Sequence, residues 1–298
     1  MERIIDFKTT CNDNEKTVEA FLKEHGFTHQ VLVNLKKTNN GITRNGVWAY
    51  TNEKISAGDK ISVHIVENCN SDNILPIKIP LDIAYEDDDL IVINKPAGMP
   101  VHPSMGNHDN SLANALMYYF NSQGLSFVFR CINRLDRDTT GLTIVAKHAL
   151  ASGILGKAVA RRDIHRTYYA VCSGHTPDCG RIDAPIARKS DSAIERCVDF
   201  DKGEYAITDY TRLKYNPDKD LSLVQLKLLT GRTHQIRVHM KYIGFPLIGD
   251  FLYNPDYTYM DRQALHSGRL EFIHPVTGKK MDLISDIPSD MKSLFKLI

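Results

Sequence analysis

The chain has 298 residues, of which 42% are hydrophobic and 24% are charged, and its formal net charge is +1. This length allows one large domain and a small one, and the near-neutral charge by itself gives no argument for a nucleic-acid partner. No apolar run approaches the roughly 20 residues of a membrane span, and the N-terminus lacks the layout of a secretory signal. The six cysteines are scattered without a C-x-x-C pair, so we expect reduced thiols, no zinc site and a cytoplasmic protein.

The first predicted unit covers residues 15–68. The run EKTVEAFLKEHG has apolar residues at helical spacing and a stop at Gly26, and HQVLVNLKKTNNG predicts a second short helix. Asn45-Gly46 predicts a tight turn between apolar runs, and AGDKISVHIVE reads as a strand. The polar, proline-containing run NCNSDNILPIKIP follows and indicates a linker.

From about Leu81 longer strands alternate with helices. We predict strands in LIVINK, GLTIVAK, RTYYAVCSG, ITDYTRLKY and LSLVQLKLLT, and helices in NSLANALMYYF and ALASGILGKAVARR. Three adjacent acids, Asp87, Asp88 and Asp89, stand before the first of these strands, and we interpret them as a solvated turn. The pattern indicates a mixed α and β class, with one sizeable sheet domain behind a small front module.

Positive charge is concentrated locally although the chain as a whole is balanced. Residues 155–190 carry seven lysines and arginines against three aspartates, and residues 227–241 carry four basic residues and no acid. Such a concentration would suit a polyanion held on one face. A set of solvated side chains would produce the same pattern.

The run NRLDRDTTG, residues 133–141, places two arginines and two aspartates in front of an apolar strand. In an extended segment Arg134 and Asp136 share one face while Leu135 points into the core. The run therefore reads either as a solvated turn or as an anchored loop that presents its charges in a fixed relationship.

A second polar run, TGRTHQIRVHMKYIG, predicts a helix capped by Thr230 or Thr233 and ending near Gly244. One face of this helix is apolar and the neighbouring face is basic. It reads either as a surface helix or as one that holds a guanidinium against a carboxylate.

Six blocks of the sequence, taken together and in this order, resemble the RluA-type pseudouridine synthases. They are EDDDLIVINKPAGMPVHPS, NRLDRDTTGL, RTYYAVCSG, GRTHQIRVHM, PLIGDFLY and ALHSGRLEFIHPVTG. The match runs from Leu81 to Met291. The front unit resembles the small S-four-like RNA-binding domain that often precedes this catalytic domain. The resemblance thus implies an RNA-binding domain over residues 1–70, a linker over 71–80 and a catalytic domain over 81–298.

The fold that the resemblance implies is α+β, with a large, mostly antiparallel sheet flanked by helices. The implied activity is the isomerisation of uridine in structured RNA to pseudouridine, which needs no cofactor and no metal. Carried over by position, the motifs imply Asp136 as the catalytic carboxylate, acting as a nucleophile or as a base at the sugar. Arg237 is its implied ion-pair partner, Tyr168 the aromatic ring under the target base, Arg134 the side chain that displaces the nucleotide, and Ile236 an apolar wall.

Two positions depart from the family pattern, with Asn133 in place of the common histidine and Thr140 in place of the frequent serine. The expected substrate is ribosomal large-subunit RNA rather than tRNA, and we expect a monomer. Two other classes stay open, a non-catalytic RNA-binding protein with this fold and an aspartate-dependent glycoside hydrolase. The hydrolase normally needs a second carboxylate beside the first.

Overall fold

The computed structural model describes residues 1–104, 106–190, 192 and 194–295. The end of the predicted catalytic domain, residues 296–298, lies outside the described residues. The first elements along the chain are β1 (Glu2–Lys8), α1 (Val18–Glu24), α2 (His29–Lys37), β2 (Ile42–Arg44), β3 (Val47–Trp48) and β4 (Lys60–Val66). The strands form an antiparallel sheet in the order β1-β4-β2-β3.

Both predicted front helices are present, and each begins at a threonine. The hydroxyl of Thr17 accepts from the backbone N–H of Ala20, and the hydroxyl of Thr28 accepts from that of Val31. The turn between β2 and β3 has positive φ at Asn45 and Gly46, as a tight hairpin turn requires. The first strand, β1, was not predicted, and it places the start of this unit at Glu2 rather than at residue 15.

The larger sheet is built from residues 83–284. Its strands are β5 (Ile83–Glu86), β6 (Leu90–Lys95), β7 (Arg130–Cys131), β8 (Thr140–Ala146), β9 (His165–Ser173), β10 (Cys179–Asp183), β13 (Ile207–Asn216), β14 (Leu221–Leu228), β15 (Leu265–Ile273) and β16 (Lys280–Ile284). The main order is β10-β13-β14-β9-β15-β8-β6-β5, with β16 on β15 and β7 on β8. In the described residues every pairing is antiparallel except β15 with β8. The predicted fold class is confirmed.

The remaining elements pack around this sheet. They are α3 (Leu112–Asn121), α4 (Ala149–Arg161), a hairpin of β11 (Ile186–Arg188) and β12 (Arg196–Val198), α5 (Gln235–Tyr242) and α6 (Ser289–Lys292). The largest apolar cluster combines α3 with α5 and the central strands. Because β8 is buried along its whole length, the loop in front of it is anchored to the middle of the sheet. Among the described residues, no helix combines the length and the apolar character that crossing a membrane requires.

Asp89 lies where the front sheet contacts the large sheet. Its environment corrects the interpretation of the three acids as a solvated turn. The triplet of acids is not simply a solvated turn, because Asp89 is buried. Its carboxylate accepts from Arg3 of β1 (2.8 and 3.1 Å) and contacts Nε2 of His148 (2.9 Å). Asp87 contacts His274 Nε2 (2.7 Å), so these acids and His274 could also present ligand atoms to a metal. Arg3 already gives Asp89 a cationic partner, and this ion pair links the front sheet to the large sheet.

Candidate active site

The loop that carries Asp136 is held from both sides. Leu135 is buried, as predicted, and so is Asn133. The Asn133 side chain accepts from the Ile144 backbone N–H (2.8 Å) and donates to the Leu142 carbonyl (3.2 Å). Asn133 therefore ties the loop to β8. The residue that stands in place of the family's histidine thus has a structural contact of its own with the strand behind the loop.

Lys95 fixes the other side of the loop, and nothing in the sequence pattern pointed to it. Its buried ammonium donates to the backbone carbonyls of Pro96 (2.8 Å), Met99 (2.9 Å) and Arg137 (2.8 Å). Arg137 directly follows Asp136, so this lysine ties the loop that carries Asp136 to the end of β6. Burial lowers the pKa of Lys95 to about 7, against the opposing pull of the nearby acids Asp138 and Asp136.

Asp136 and Arg237, which are 101 residues apart, are in direct contact. Arg237 Nη1 donates to Asp136 Oδ2 at 2.9 Å. The guanidinium is 1% exposed, whereas the Asp136 side chain is 29% exposed. The carboxylate is therefore tethered from its protein side and open on the other.

Arg237 has a second acidic partner that sequence reasoning missed. Its Nε and Nη2 donate to the two carboxylate oxygens of Asp250, each at 2.7 Å, and Asp250 is fully buried. Asp250 Oδ1 also accepts from the backbone N–H groups of Leu252 (3.0 Å) and Tyr253 (3.2 Å). Burial would lower the pKa of Arg237, but the hydrogen bonds to Asp250 and the charge of Asp136 raise it above its ordinary value.

Two aromatic rings complete the surroundings of Arg237. Its guanidinium carbon lies 5.4 Å from the ring centre of Phe251 and 5.0 Å from that of Tyr253. The segment Asp250–Tyr253 thus wraps the guanidinium on several sides. The sequence signal for this segment was the run GDFLY, which is part of one block of the family resemblance but to which no function had been assigned.

Helix α5 begins later than predicted. Its N-cap is His234, with φ +56°, and this residue makes no side-chain cap. Thr230 does not cap the helix, because its hydroxyl donates to Gln235 Oε1 (2.8 Å) and accepts from the Ile207 N–H (2.9 Å). The predicted basic face of this helix is divided as well, because Arg237 is buried whereas Lys241 is exposed.

His234 lies at the mouth of the site. Its Nδ1 is 3.0 Å from the Tyr253 hydroxyl, and its Nε2 is 3.9 Å from Asp136 Oδ2. Burial lowers the pKa of His234, so the imidazole is neutral at pH 7. A non-glycine residue in the left-handed region costs of order 1–3 kcal/mol, and such strain is typical of functional sites.

A cavity of about 80 Å³ beside Asp136 brings the predicted residues together. Its lining includes all five residues singled out from the sequence, namely Arg134, Asp136, Tyr168, Ile236 and Arg237. Tyr168 and Ile236 are buried apart from this opening, and Arg134 is exposed at its edge. Burial raises the pKa of the Tyr168 phenol, which keeps it protonated at neutral pH.

A larger groove of about 980 Å³ shares Arg134, Asp136 and His234 with the lining of this cavity. Arg134, Arg137, Arg162, Arg166 and Arg232 contribute to the lining of the groove. Of the concentration of basic residues noted in the sequence, Arg162, Arg166 and Arg232 therefore line this groove. Several of the arginines are ion-paired, both in the groove, where Arg137 contacts Asp138 (2.8 Å) and Arg232 contacts Glu204, and elsewhere, where Arg181 contacts Asp209 (2.6 Å) and Arg161 contacts Asp163 (3.2 Å).

Comparison with known proteins shows which family the chain belongs to. The model of the RNA pseudouridylate synthase family matches residues 89–242. The chain is 39% identical over 281 residues to a Bacillus subtilis protein named as an uncharacterised RNA pseudouridine synthase, YjbO, covering 94% of this chain and 98% of that one. It is 42% identical over 237 residues to ribosomal large subunit pseudouridine synthase D of Zymomonas mobilis, covering 75% and 74% of the two chains.

The solved structure of human RNA pseudouridylate synthase domain containing 1 agrees with these sequence matches. It superposes with a TM-score of 0.60 at 27% identity, over 72% of this chain and 88% of the human one. The resemblance noted in the sequence is confirmed for the synthase family. The chain belongs to the RNA pseudouridylate synthase family and is an isomerase that converts uridine in RNA to pseudouridine.

Proposed function

We propose that Asp136 is the catalytic carboxylate of this enzyme and that its substrate is ribosomal large-subunit RNA. The single observation that carries the assignment is the ion pair, in the lining of a cavity, between the partly exposed carboxylate of Asp136 and the buried guanidinium of Arg237. The large-subunit substrate is suggested by the names of relatives such as the Zymomonas mobilis protein.

The reaction breaks the bond between N1 of uracil and C1′ of ribose, turns the base and joins C5 to C1′. The proton on C5 leaves and N1 gains one, so the product has the atoms of the substrate. Asp136 must be ionised whether it attacks the sugar as a nucleophile or removes a proton from it as a base. Arg237 fixes the direction of this carboxylate through its hydrogen bond from Nη1, because the guanidinium is itself held by two hydrogen bonds to Asp250.

The base must leave the RNA stack to reach Asp136, which costs a few kcal/mol. We propose that Arg134, exposed at the edge of the cavity, takes the place of the displaced nucleotide. Tyr168 then receives the base against its ring, since stacking of a base on an aromatic side chain contributes about 1–3 kcal/mol. Ile236 closes the cavity with an apolar wall.

We propose that the arginines of the groove hold phosphates around the target uridine. We further propose that residues 1–70 form an RNA-binding domain, that residues 71–80 are a linker and that residues 81–298 form the catalytic domain. The enzyme would act as a monomer in the cytoplasm, without a cofactor or a metal.

Release of tritium from RNA labelled at C5 of uracil tests the proposal. We expect release from a large-subunit rRNA transcript, weak or no release from a tRNA pool, and none with the Asp136→Asn variant. Asp201→Asn, which changes an exposed carboxylate, should match the wild type. Release from tRNA alone would move the substrate to tRNA, and full activity of Asp136→Asn would refute the assigned carboxylate.

Two other classes are separated by the same assay. A non-catalytic RNA-binding protein would bind the transcript without releasing label. A glycoside hydrolase would liberate free uracil, and it normally uses a second carboxylate beside the first. The described side chains instead give Asp136 a guanidinium as its hydrogen-bonded neighbour.

A further inference from the structure

The hydrogen bonds around His234 determine which of its ring nitrogens carries the proton. The hydroxyl of Tyr253 is buried and accepts from the Arg196 backbone N–H at 2.8 Å. The hydroxyl proton therefore needs an acceptor, and His234 Nδ1 at 3.0 Å provides one. A neutral imidazole that accepts at Nδ1 carries its proton on Nε2. His234 thus presents an N–H donor at Nε2.

This donor faces the same space as the catalytic carboxylate. Nε2 of His234 lies 3.9 Å from Asp136 Oδ2, and both residues line the cavity. A separation of 3.9 Å is too long for a direct hydrogen bond. It is short enough for one oxygen atom to be within hydrogen-bonding distance of both groups. Such an oxygen has to donate to the carboxylate and accept from the imidazole N–H.

The chemistry of a nucleotide in an RNA chain leaves one atom near the reacting carbon that can do both. The ring oxygen of ribose and the carbonyl oxygens of uracil only accept, and the 3′ and 5′ oxygens are esterified. The 2′-hydroxyl both donates and accepts, and it is bonded to the carbon next to C1′. We propose that His234 is a substrate-binding residue that holds the 2′-hydroxyl of the target uridine together with Asp136, and this inference rests on the proposed function of Asp136.

Two consequences follow for the reaction. The bridge orients the ribose relative to Asp136 before the bond from N1 to C1′ breaks. It also makes the site select RNA over DNA at the target nucleotide, because a deoxyribose leaves both the imidazole N–H and the carboxylate without their partner.

The test compares two substrates and three proteins. The substrates are large-subunit rRNA oligonucleotides that differ only in having ribose or 2′-deoxyribose at the modified uridine. The proteins are the wild type, His234→Phe, which keeps a planar ring without a donor, and His234→Gln, which restores an N–H donor. Single-turnover tritium release gives the ratio of the ribose rate to the deoxyribose rate for each protein, and circular dichroism verifies folding.

We expect the wild-type ratio to exceed that of His234→Phe by about 10-fold, the factor that one hydrogen bond supplies, and His234→Gln to recover part of it. His175→Phe, which changes an exposed histidine that lines neither cavity, should keep the wild-type ratio. Equal ratios for the wild type and His234→Phe would overturn the role of His234 while leaving Asp136 as the catalytic residue. A wild type that is inactive on the ribose substrate would overturn the proposed function and this inference with it.

Discussion

Asp136 and Asp250 share the guanidinium of Arg237, but replacing them with asparagine should change different properties. Asp250→Asn should mainly lower stability, and Asp136→Asn should mainly abolish activity. Asp250 is fully buried, and it accepts from Nε and Nη2 of Arg237 and from two backbone N–H groups. An amide at this position loses the charge and turns an NH₂ group toward a neighbour that can only donate. Removing one partner of a buried ion pair typically costs about 3–5 kcal/mol. For a chain of this size that corresponds to a fall in Tm of about 5–8 °C.

Asp136→Asn changes the exposed end of the same network. Its side chain is 29% exposed and receives one hydrogen bond from Arg237. The pair of Arg237 with Asp250 stays intact, so the loss of unfolding free energy should be about 1 kcal/mol or less. Activity, in contrast, should disappear, because the amide can neither attack the sugar nor accept a proton from it.

Thermal unfolding and single-turnover tritium release, measured on both variants, test this division. We expect Asp250→Asn to unfold at a much lower temperature. Below that temperature it should retain measurable activity, reduced by about 100-fold through misplacement of Arg237 and the carboxylate that it holds. A large stability loss in Asp136→Asn with little in Asp250→Asn would show that we have assigned the anchor and the reactive group the wrong way round.

Three further predictions concern other parts of the site. The pKa of Lys95 is about 7 in the folded chain against 10.5 in the unfolded one, so its contribution to stability is complete above pH 10.5 and declines as the pH falls toward 7. Between pH 7 and pH 9, the free energy of unfolding measured with urea should therefore rise by about 2 kcal/mol more for the wild type than for Lys95→Met. An equal rise for both proteins would contradict the shifted pKa. Arg237→Lys should lower the single-turnover rate by about 100-fold at unchanged RNA affinity, since a point charge cannot serve two carboxylates, and a wild-type rate would show that the fork is dispensable. Tyr168→Leu should weaken RNA binding by about 10-fold or more through lost stacking while Tyr168→Phe should not, and equal affinities in filter binding would argue against the stacked base.

Much of the fold could be predicted because periodicity and turn chemistry are local. The buried strands β6 and β8 are visible as apolar runs and β14 as an alternation of apolar and polar residues, and the Asn45-Gly46 turn follows from the positive φ that it requires. The first strand, β1, was not predicted because MERIIDFK mixes charged and apolar residues, and this strand lies in a sheet that is solvated on one face. Such an edge has too few apolar positions to stand out.

The site was only partly predictable because its supports are distant in sequence and lie on elements that look ordinary. The resemblance supplied Asp136 and Arg237, and their contact joins a loop to a helix 101 residues away. Lys95 ends an apolar strand next to a proline, and only the tertiary structure surrounds its ammonium with three carbonyls. The helical pattern placed Arg237 on a basic face, but Asp250 draws it into the core.

Arg237 divides its donors unequally between two carboxylates. If Arg237 paired with Asp136 alone, it could donate to both oxygens of that carboxylate, and each added hydrogen bond makes an anion a weaker nucleophile and a weaker base. Asp250 takes two of the donors through both of its oxygens and leaves Asp136 a single hydrogen bond. The three side chains together carry one net negative charge, and the exposed oxygens of Asp136 face the cavity where the ribose would lie. If Asp136 is the catalytic carboxylate, as we propose, Asp250 has two effects: it holds the guanidinium still, and it limits Asp136 to a single hydrogen bond from Arg237.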